Sequence, residues 1–167
     1  EADDEGNMYI VGYFEGTVNF AHPDQVPVWA TSTANDDGFL SKYNPAGQLV
    51  WTRIFKTTDY GGVYTLDLKR GNELYISGGY AGIADLDPGT DSIIAVADFY
   101  TDVFISKFSL DGDMFWSYHF RGPDDDEGIR SLNIDTKDSR VTLLGYFYGT
   151  LDCDFTSDEL LLTTNGG

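Results

Sequence analysis

The stretch Ser41–Trp51, SKYNPAGQLVW, is written again 65 residues later as SKFSLDGDMFW, Ser106–Trp116. Asp37, Phe39, Ser41, Lys42, Gly47, Trp51 and Phe55 match Asp102, Phe104, Ser106, Lys107, Gly112, Trp116 and Phe120 at that constant offset. In each copy two runs rich in aromatic and β-branched residues flank a turn, Asn44-Pro45-Ala46-Gly47 in the first and Asp111-Gly112 in the second. Asp-Gly favours the positive φ angles of a tight connection, so both copies read as β-hairpins. Other segments repeat around them. YIVGYFEGTVNF from Tyr9 returns as YISGGYAGIADL from Tyr75 and as TLLGYFYGTLDC from Thr142, and GVYTLDLK from Gly62 returns as GIRSLNID from Gly128. The period is about 66 residues.

One period contains four main strands, expected at 63–69, 73–80, 102–109 and 113–120, with Arg70-Gly71-Asn72 joining the first two. A short pair such as Thr17–Phe20 or Leu160–Thr163 decorates the connection between the second and third. No stretch keeps helical apolar spacing over three turns, and the 19 Gly and 5 Pro fall mostly between the β runs. The expected fold is all-β: tandem four-stranded antiparallel blades of a β-propeller-like repeat, since sandwiches do not normally repeat their sequence. The units divide as 1–55, a blade lacking its first strand; 56–121, a complete blade; and 122–167, the first half of a third. A closed propeller takes at least about four blades. Repeat units also cover one another's faces, so the expectation is an incomplete portion of a larger propeller or assembly.

Ten Lys and Arg stand against 28 Asp and Glu, a formal charge of -18, and the basic residues form no stripe. Such a field repels nucleic acid and anionic membranes and attracts cations and basic partners. The one cysteine, Cys153, excludes an internal disulfide, and its alternating apolar and acidic surroundings read as those of a small buried hydrophobe. No window reaches the roughly 18 apolar residues of a membrane span, so no membrane insertion is expected.

The acidic tracts are the metal candidates: Asp85, Asp87 and Asp91, and Asp124, Asp125 and Asp126. Calcium takes oxygen ligands from such loops, although neither tract has EF-hand spacing, and solvated acidic turns compete as an explanation. Asp152 and Asp154 alternate around Cys153 and read as charges on a ladder edge. Trp51 and Trp116 sit at one repeated position and read as inter-blade core. Trp29 lacks a counterpart in the alignment of repeats and lies in the idiosyncratic region 21–30, which makes it the ligand-contact candidate. Asp91-Ser92-Ile93 fits a short bacterial O-glycosylation pattern at Ser92. No nucleophile elbow, phosphate-binding glycine loop or Ser/His/Asp order stands out, so no catalytic residue and no cofactor other than calcium is assigned.

The sequence GNMYIVGYFEGTVNF from Gly6, the pattern DxFxSKY and the link DYGGVYTLDL from Asp59 together resemble the β-propeller repeat of secreted bacterial proteins called SBBP. Asp85-Leu86-Asp87-Pro88-Gly89 is similar to an acidic insertion of that family, whereas Asp138-Ser139 departs from its Gly-Asn turn. The resemblance implies an extracellular, secreted or surface-displayed propeller and no shared catalytic residue. The function expected is a non-enzymatic structural or binding module, adhesin or scaffold, whose partner is a protein or glycan at the cell surface. Two alternatives stand beside it: a subunit of an extracellular filament completed by self-association with neighbouring copies, and a fragment of a glycan-acting propeller hydrolase.

Overall fold

Four strands form one antiparallel sheet in chain order, β6 (Gly61–Lys69), β7 (Glu73–Asp85), β8 (Ile94–Ser109) and β9 (Met114–Phe120). The structure is a computed structural model that describes residues 1–69, 73–120, 128–135, 140–154, 158 and 160–165. Before this sheet comes a three-stranded one, β1 (Met8–Phe14), β4 (Asp37–Tyr43) and β5 (Leu49–Phe55), in the order β1-β4-β5. After it, β10 (Gly128–Ile134) pairs with β11 (Val141–Tyr146). The ribbons β2 (Thr17–Asn19) with β3 (Trp29–Thr31), and β12 (Thr150–Asp152) with β13 (Leu161–Thr163), complete the set. At the N-terminus Ala2 bridges Met8, and the Tyr9 amide donates to the Glu1 carbonyl at 2.9 Å. Glu1 and Ala2 thus lie beside β1 where β6 lies beside β7. Among the described residues there is no helix, and none is long and apolar enough to cross a membrane.

The faces of β7 explain why the sheets stack. Leu74 and Ile76 point into a core shared with the first sheet, where they meet Tyr9, Leu40 and Phe55; Tyr75 points the other way, into a core shared with Ile129, Leu132 and Ile134 of β10. Strand β8 alternates likewise, Phe104 and Phe108 toward the first sheet and Val103 and Ile105 toward the third. Both faces of the middle sheet are covered, so its central strands read as nearly continuous apolar runs. Phe55 stacks on Phe104 at 5.7 Å between ring centroids and meets Phe108 edge-on at 6.1 Å. Each such fully buried aromatic side chain contributes about 1.5–3 kcal/mol of burial free energy.

Strands β7 and β8 run further than the sequence predicts, to Asp85 and from Ile94. The excursion between them stays paired, Ile83 with Val96, Ala84 with Ala95 and Asp85 with Ile94, after a bulge between Ala81 and Ile83. Gly82 makes that bulge with φ 70°. Gly16 (φ 71°) and Gly149 (φ 65°) hold the same place before β2 and β12. Only glycine enters this region without steric cost, so one backbone device starts a ribbon in all three repeats. Gly47 and Gly112, with φ 76° and 82°, close the two hairpins read from the sequence. Here Asn44 and Ser109 do the capping. The Asn44 side chain accepts from the amides of Ala46 and Gln48, and Ser109 Oγ accepts from those of Asp111 and Asp113. Arg70-Gly71-Asn72 and Asp138-Ser139 lie outside the described residues.

Candidate interaction surface

Three side chains at one repeat position tie each ribbon closed. The Asn19 side-chain oxygen accepts from the amides of Ala21 and Val28 at 3.1 and 2.9 Å. Asp85 Oδ1 accepts from Asp87 and Ile93, both at 3.1 Å, and Asp152 Oδ1 from Asp154 and Leu160 at 3.0 and 3.1 Å. An amide serves in the first repeat and a carboxylate in the other two, so the position requires an acceptor oxygen and no charge. The next residue is Phe20, Leu86 or Cys153, whose amide donates to the carbonyl of Val28, Ile93 or Leu160. Cys153 therefore stands where the other repeats place an apolar side chain. It is half-buried, and burial, with the Asp152 charge adding, pushes its thiol pKa up.

This explains the acidic tract at 85–91. Asp85 closes the ribbon, Asp87 Oδ1 accepts from the Gly89 amide at 2.8 Å, and Asp91 and Ser92 are exposed beyond them. Among the described residues no three His, Cys, Asp or Glu side chains converge as a metal site. Asp124, Asp125 and Asp126 lie outside the described residues. Asp152, read from sequence as a ladder-edge charge, is the loop-closing acceptor instead, and Asp154 lies past the end of β12.

The ribbon of the middle repeat alternates between an anchored and an open face. In the middle repeat Ala84, Leu86, Ala95 and Ala97 are buried against the first sheet, and backbone bonds join Asp85 to Lys56 and Thr58 to Ile83. Ile83, Ile94 and Val96 point outward and are exposed. Register shows that Trp29 does have counterparts. Trp29 pairs with Asn19 as Ile94 pairs with Asp85 and Leu161 with Asp152. All three are open to solvent, at 64%, 60% and 53%. Val26, Val28, Leu160 and Leu162 extend the exposed apolar positions. The sequence reading missed these because Trp, Ile and Leu share polarity but not identity; the signal available was the alternation in Ile94–Ala97. Asp24, Asp91 and Asp158 are exposed in the ribbon loops, with Asp87 half-buried beside them.

The aromatic and polar residues of the hairpins serve the sheets. Trp51 Nε1 donates to the Leu110 carbonyl at 3.2 Å and Arg53 Nε to the Gly112 carbonyl at 2.8 Å, so the end of the first sheet grips the turn of the next hairpin. Lys42 lies over Tyr9 and Lys107 over Tyr75, 5.3 and 5.4 Å from the ring centroids, and the pairs Ser41–Thr52 and Ser106–Ser117 bond at 2.8 and 2.7 Å. Tyr80 OH bonds His119 Nδ1 at 3.0 Å and reaches Asp102 at 3.5 Å. Tyr80 and Asp102 are buried, so this group joins β7, β8 and β9. The acids Asp3 and Glu73 are displaced downward. For Asp3, burial pushes upward and the hydrogen bonds from Asn7, Tyr9 and Glu5 outweigh it; for Glu73 the Lys107 hydrogen bond leads.

No protein-family model matches the chain. Over 126 residues, 68% of the chain, it is 29% identical to an uncharacterized WD repeat-containing protein of Acanthamoeba polyphaga mimivirus. The match covers 9% of that relative, so the chain spans only a small part of its length. WD repeats of about 40–45 residues build four-stranded propeller blades. The sheet β6-β7-β8-β9 has that form, and the ribbon between β7 and β8 accounts for the longer period here. The chain is an all-β protein of tandem propeller-like repeats, one sheet complete in four strands and its two neighbours incomplete.

Proposed function

We propose that this chain is a non-enzymatic protein-interaction module of a larger secreted or cell-surface protein, and that it holds its partner on the outward faces of its ribbons. One observation carries this: the position of Trp29, Ile94 and Leu161 is apolar and exposed in every repeat, although nothing in the ribbon's own folding requires an apolar group there. Exposed apolar groups set among polar ones are the anatomy of a protein interface. Only one of the three residues is aromatic, so a protein surface with an apolar centre and basic surround fits better than a stack of sugar rings. The secreted setting is proposed on the resemblance of the repeat motifs to the SBBP repeat alone. The reading as scaffold rather than catalyst is supported by the carboxylates: Asp85, Asp87 and Asp152 accept from backbone amides, and Asp3 and Glu73 are displaced downward rather than raised toward an acid's working range.

The test is affinity capture with chemical cross-linking from cells that produce the protein, comparing the wild-type chain with the triple variant Trp29→Ser, Ile94→Ser and Leu161→Ser. The variant should keep the wild-type melting temperature within a few degrees, because these side chains contribute no core, and should lose at least about tenfold in recovery of a specific partner. Equal recovery by both proteins rejects the ribbon surface.

A further inference from the structure

The hydrogen-bond phase of each ribbon fixes where its remaining backbone groups point. The amides of Phe20, Leu86 and Cys153 donate to the carbonyls of Val28, Ile93 and Leu160 at 3.0, 2.9 and 3.0 Å. Bonded and non-bonded pairs alternate along an antiparallel ladder. The next pairs, Asn19 with Trp29, Asp85 with Ile94 and Asp152 with Leu161, therefore turn their amides and carbonyls outward, to the two edges of the ribbon. The positions with exposed apolar side chains are thus also positions with outward backbone groups. We propose that the edge Ile94–Ala97 of the middle ribbon takes up an extended segment of a partner protein as an added strand, apolar opposite Ile94 and Val96 and flanked by basic residues. This rests on the ribbon surface being the interface and names how the partner is held.

The opposite edge of the same ribbon shows this contact already made within the chain. The crossover at 56–58 runs along it: the Asp85 amide donates to the Lys56 carbonyl at 2.9 Å, the Thr58 amide to the Ile83 carbonyl at 2.8 Å, and Thr57 bridges Ala84. Asp85 and Ile83 are the partners of Ile94 and Val96 in the ladder, so Ile94 and Val96 present the same groups at the same spacing on the far edge. There they meet no backbone partner among the described residues. The middle ribbon has the preceding sheet beside it and the first ribbon has the following one. Ile94 is 60% exposed in the one setting and Trp29 64% in the other, so neither neighbouring sheet covers this edge.

The edge selects its occupant. Donors and acceptors repeating every second residue are complemented by the backbone of another extended chain, with side chains setting specificity. Edge strands are ordinarily kept from pairing by charge or proline, and Ile94-Ala95-Val96-Ala97 contains neither. Ala95 and Ala97 are buried on the anchored face, while Ile94 and Val96 are open on the other. Residues of the added strand directly opposite Ile94 and Val96 share that open face, and apolar side chains there make cross-strand pairs. Asp91, exposed in the loop that leads into the edge, and the formal charge of -18 favour basic flanks.

The test is amide hydrogen exchange of the full chain, read residue by residue by NMR, with a synthetic peptide in which valine and threonine alternate between lysine pairs. In the free chain the Ile94 and Val96 amides should exchange faster than that of Ala95, which pairs with Ala84. The peptide should slow Ile94 and Val96 at least about tenfold. The same peptide N-methylated throughout its valine-threonine run should leave them unchanged, and glutamate in place of lysine should weaken the effect. No slowing up to the solubility limit, or equal slowing by the N-methylated peptide, overturns the proposal. Slowing on raising the protein concentration alone, together with a doubled mass, overturns it in favour of a second copy. The peptide reads backbone groups and the triple serine variant reads side chains. If the peptide leaves the amides untouched while that variant still loses its partner, strand addition alone is removed; equal recovery by the variant removes the ribbon interface and this proposal with it.

Discussion

Asp85 shows how the repeat assigns a role that composition conceals. Its carboxylate accepts two backbone amides that Asn19 accepts in the first repeat with a neutral oxygen. Asp85→Asn should therefore change stability by no more than about 0.5 kcal/mol. Asp85→Ala, which strands the amides of Asp87 and Ile93, should cost about 1–3 kcal/mol; urea unfolding of both variants measures the pair. A large loss in Asp85→Asn would mean that the charge itself is required. The sequence displays Asp85 and Asp152 as acidic loop residues, and their common role is hidden because Asn19 breaks the pattern of charge and the period drifts by one residue between repeats. Glu73 gives a second test. Its carboxyl lies below the ordinary value of 4.5 chiefly through the Lys107 hydrogen bond, against burial, with the Lys107 charge, Tyr75 and Lys69 adding. A depressed folded-state value means that this stabilisation is present above the unfolded pKa and is lost as the pH falls through the folded one. Glu73→Gln should be less stable than wild type at neutral pH, with the difference closing as the pH drops below about 4. A difference in urea midpoint that persists in acid would contradict the assignment.

At the scale of the element, two glycines with similar backbone conformations separate local strain from packing. Gly16 (φ 71°) starts a ribbon with nothing within 4 Å of its missing Cβ, whereas Gly112 (φ 82°) turns a hairpin with the Trp51 ring 3.0 Å away. Alanine at Gly16 should cost only the left-handed penalty, about 1–2 kcal/mol. Alanine at Gly112 should cost that and, in addition, the displacement of Trp51 from the turn it grips, which thermal unfolding of the two variants can compare. Equal losses would mean that the turn and Trp51 are not coupled. The hairpin around Gly112 was legible because Asp-Gly is a turn signal that acts within a few residues. The length of β7 and β8 was not, since it depends on a bulge at Gly82 and on pairing with the crossover at 56–58, both set by tertiary structure.

For the whole molecule, the decisive feature is a core made twice from the same positions, complete between the first and second sheets and open beyond β9. Phe108, fully buried in the completed core, should cost about 3–5 kcal/mol when replaced by alanine. Trp116→Phe, which removes only the donor on the open side, should leave the stability of the isolated chain within about 0.5 kcal/mol. Chemical denaturation distinguishes them, and similar losses would mean that the two interfaces are equally occupied. The all-β, propeller-like organisation was legible because residues 37–55 and 102–120 carry the same packing instructions in the same order. The ribbon surface was not, because its residues are chosen for polarity on one face and share no identity across repeats.

The most direct measurement of the account is native-state hydrogen exchange across the second strands of the successive sheets. Amides of β7 at Leu74–Tyr80, paired on both edges and covered on both faces, should exchange only through global unfolding, and those of β11 at Val141–Tyr146 should exchange at least about a hundredfold faster through local opening. Equal protection of β7 and β11 would contradict a stack of propeller-like sheets that is covered on both faces at β7 and open at the groove beside β11.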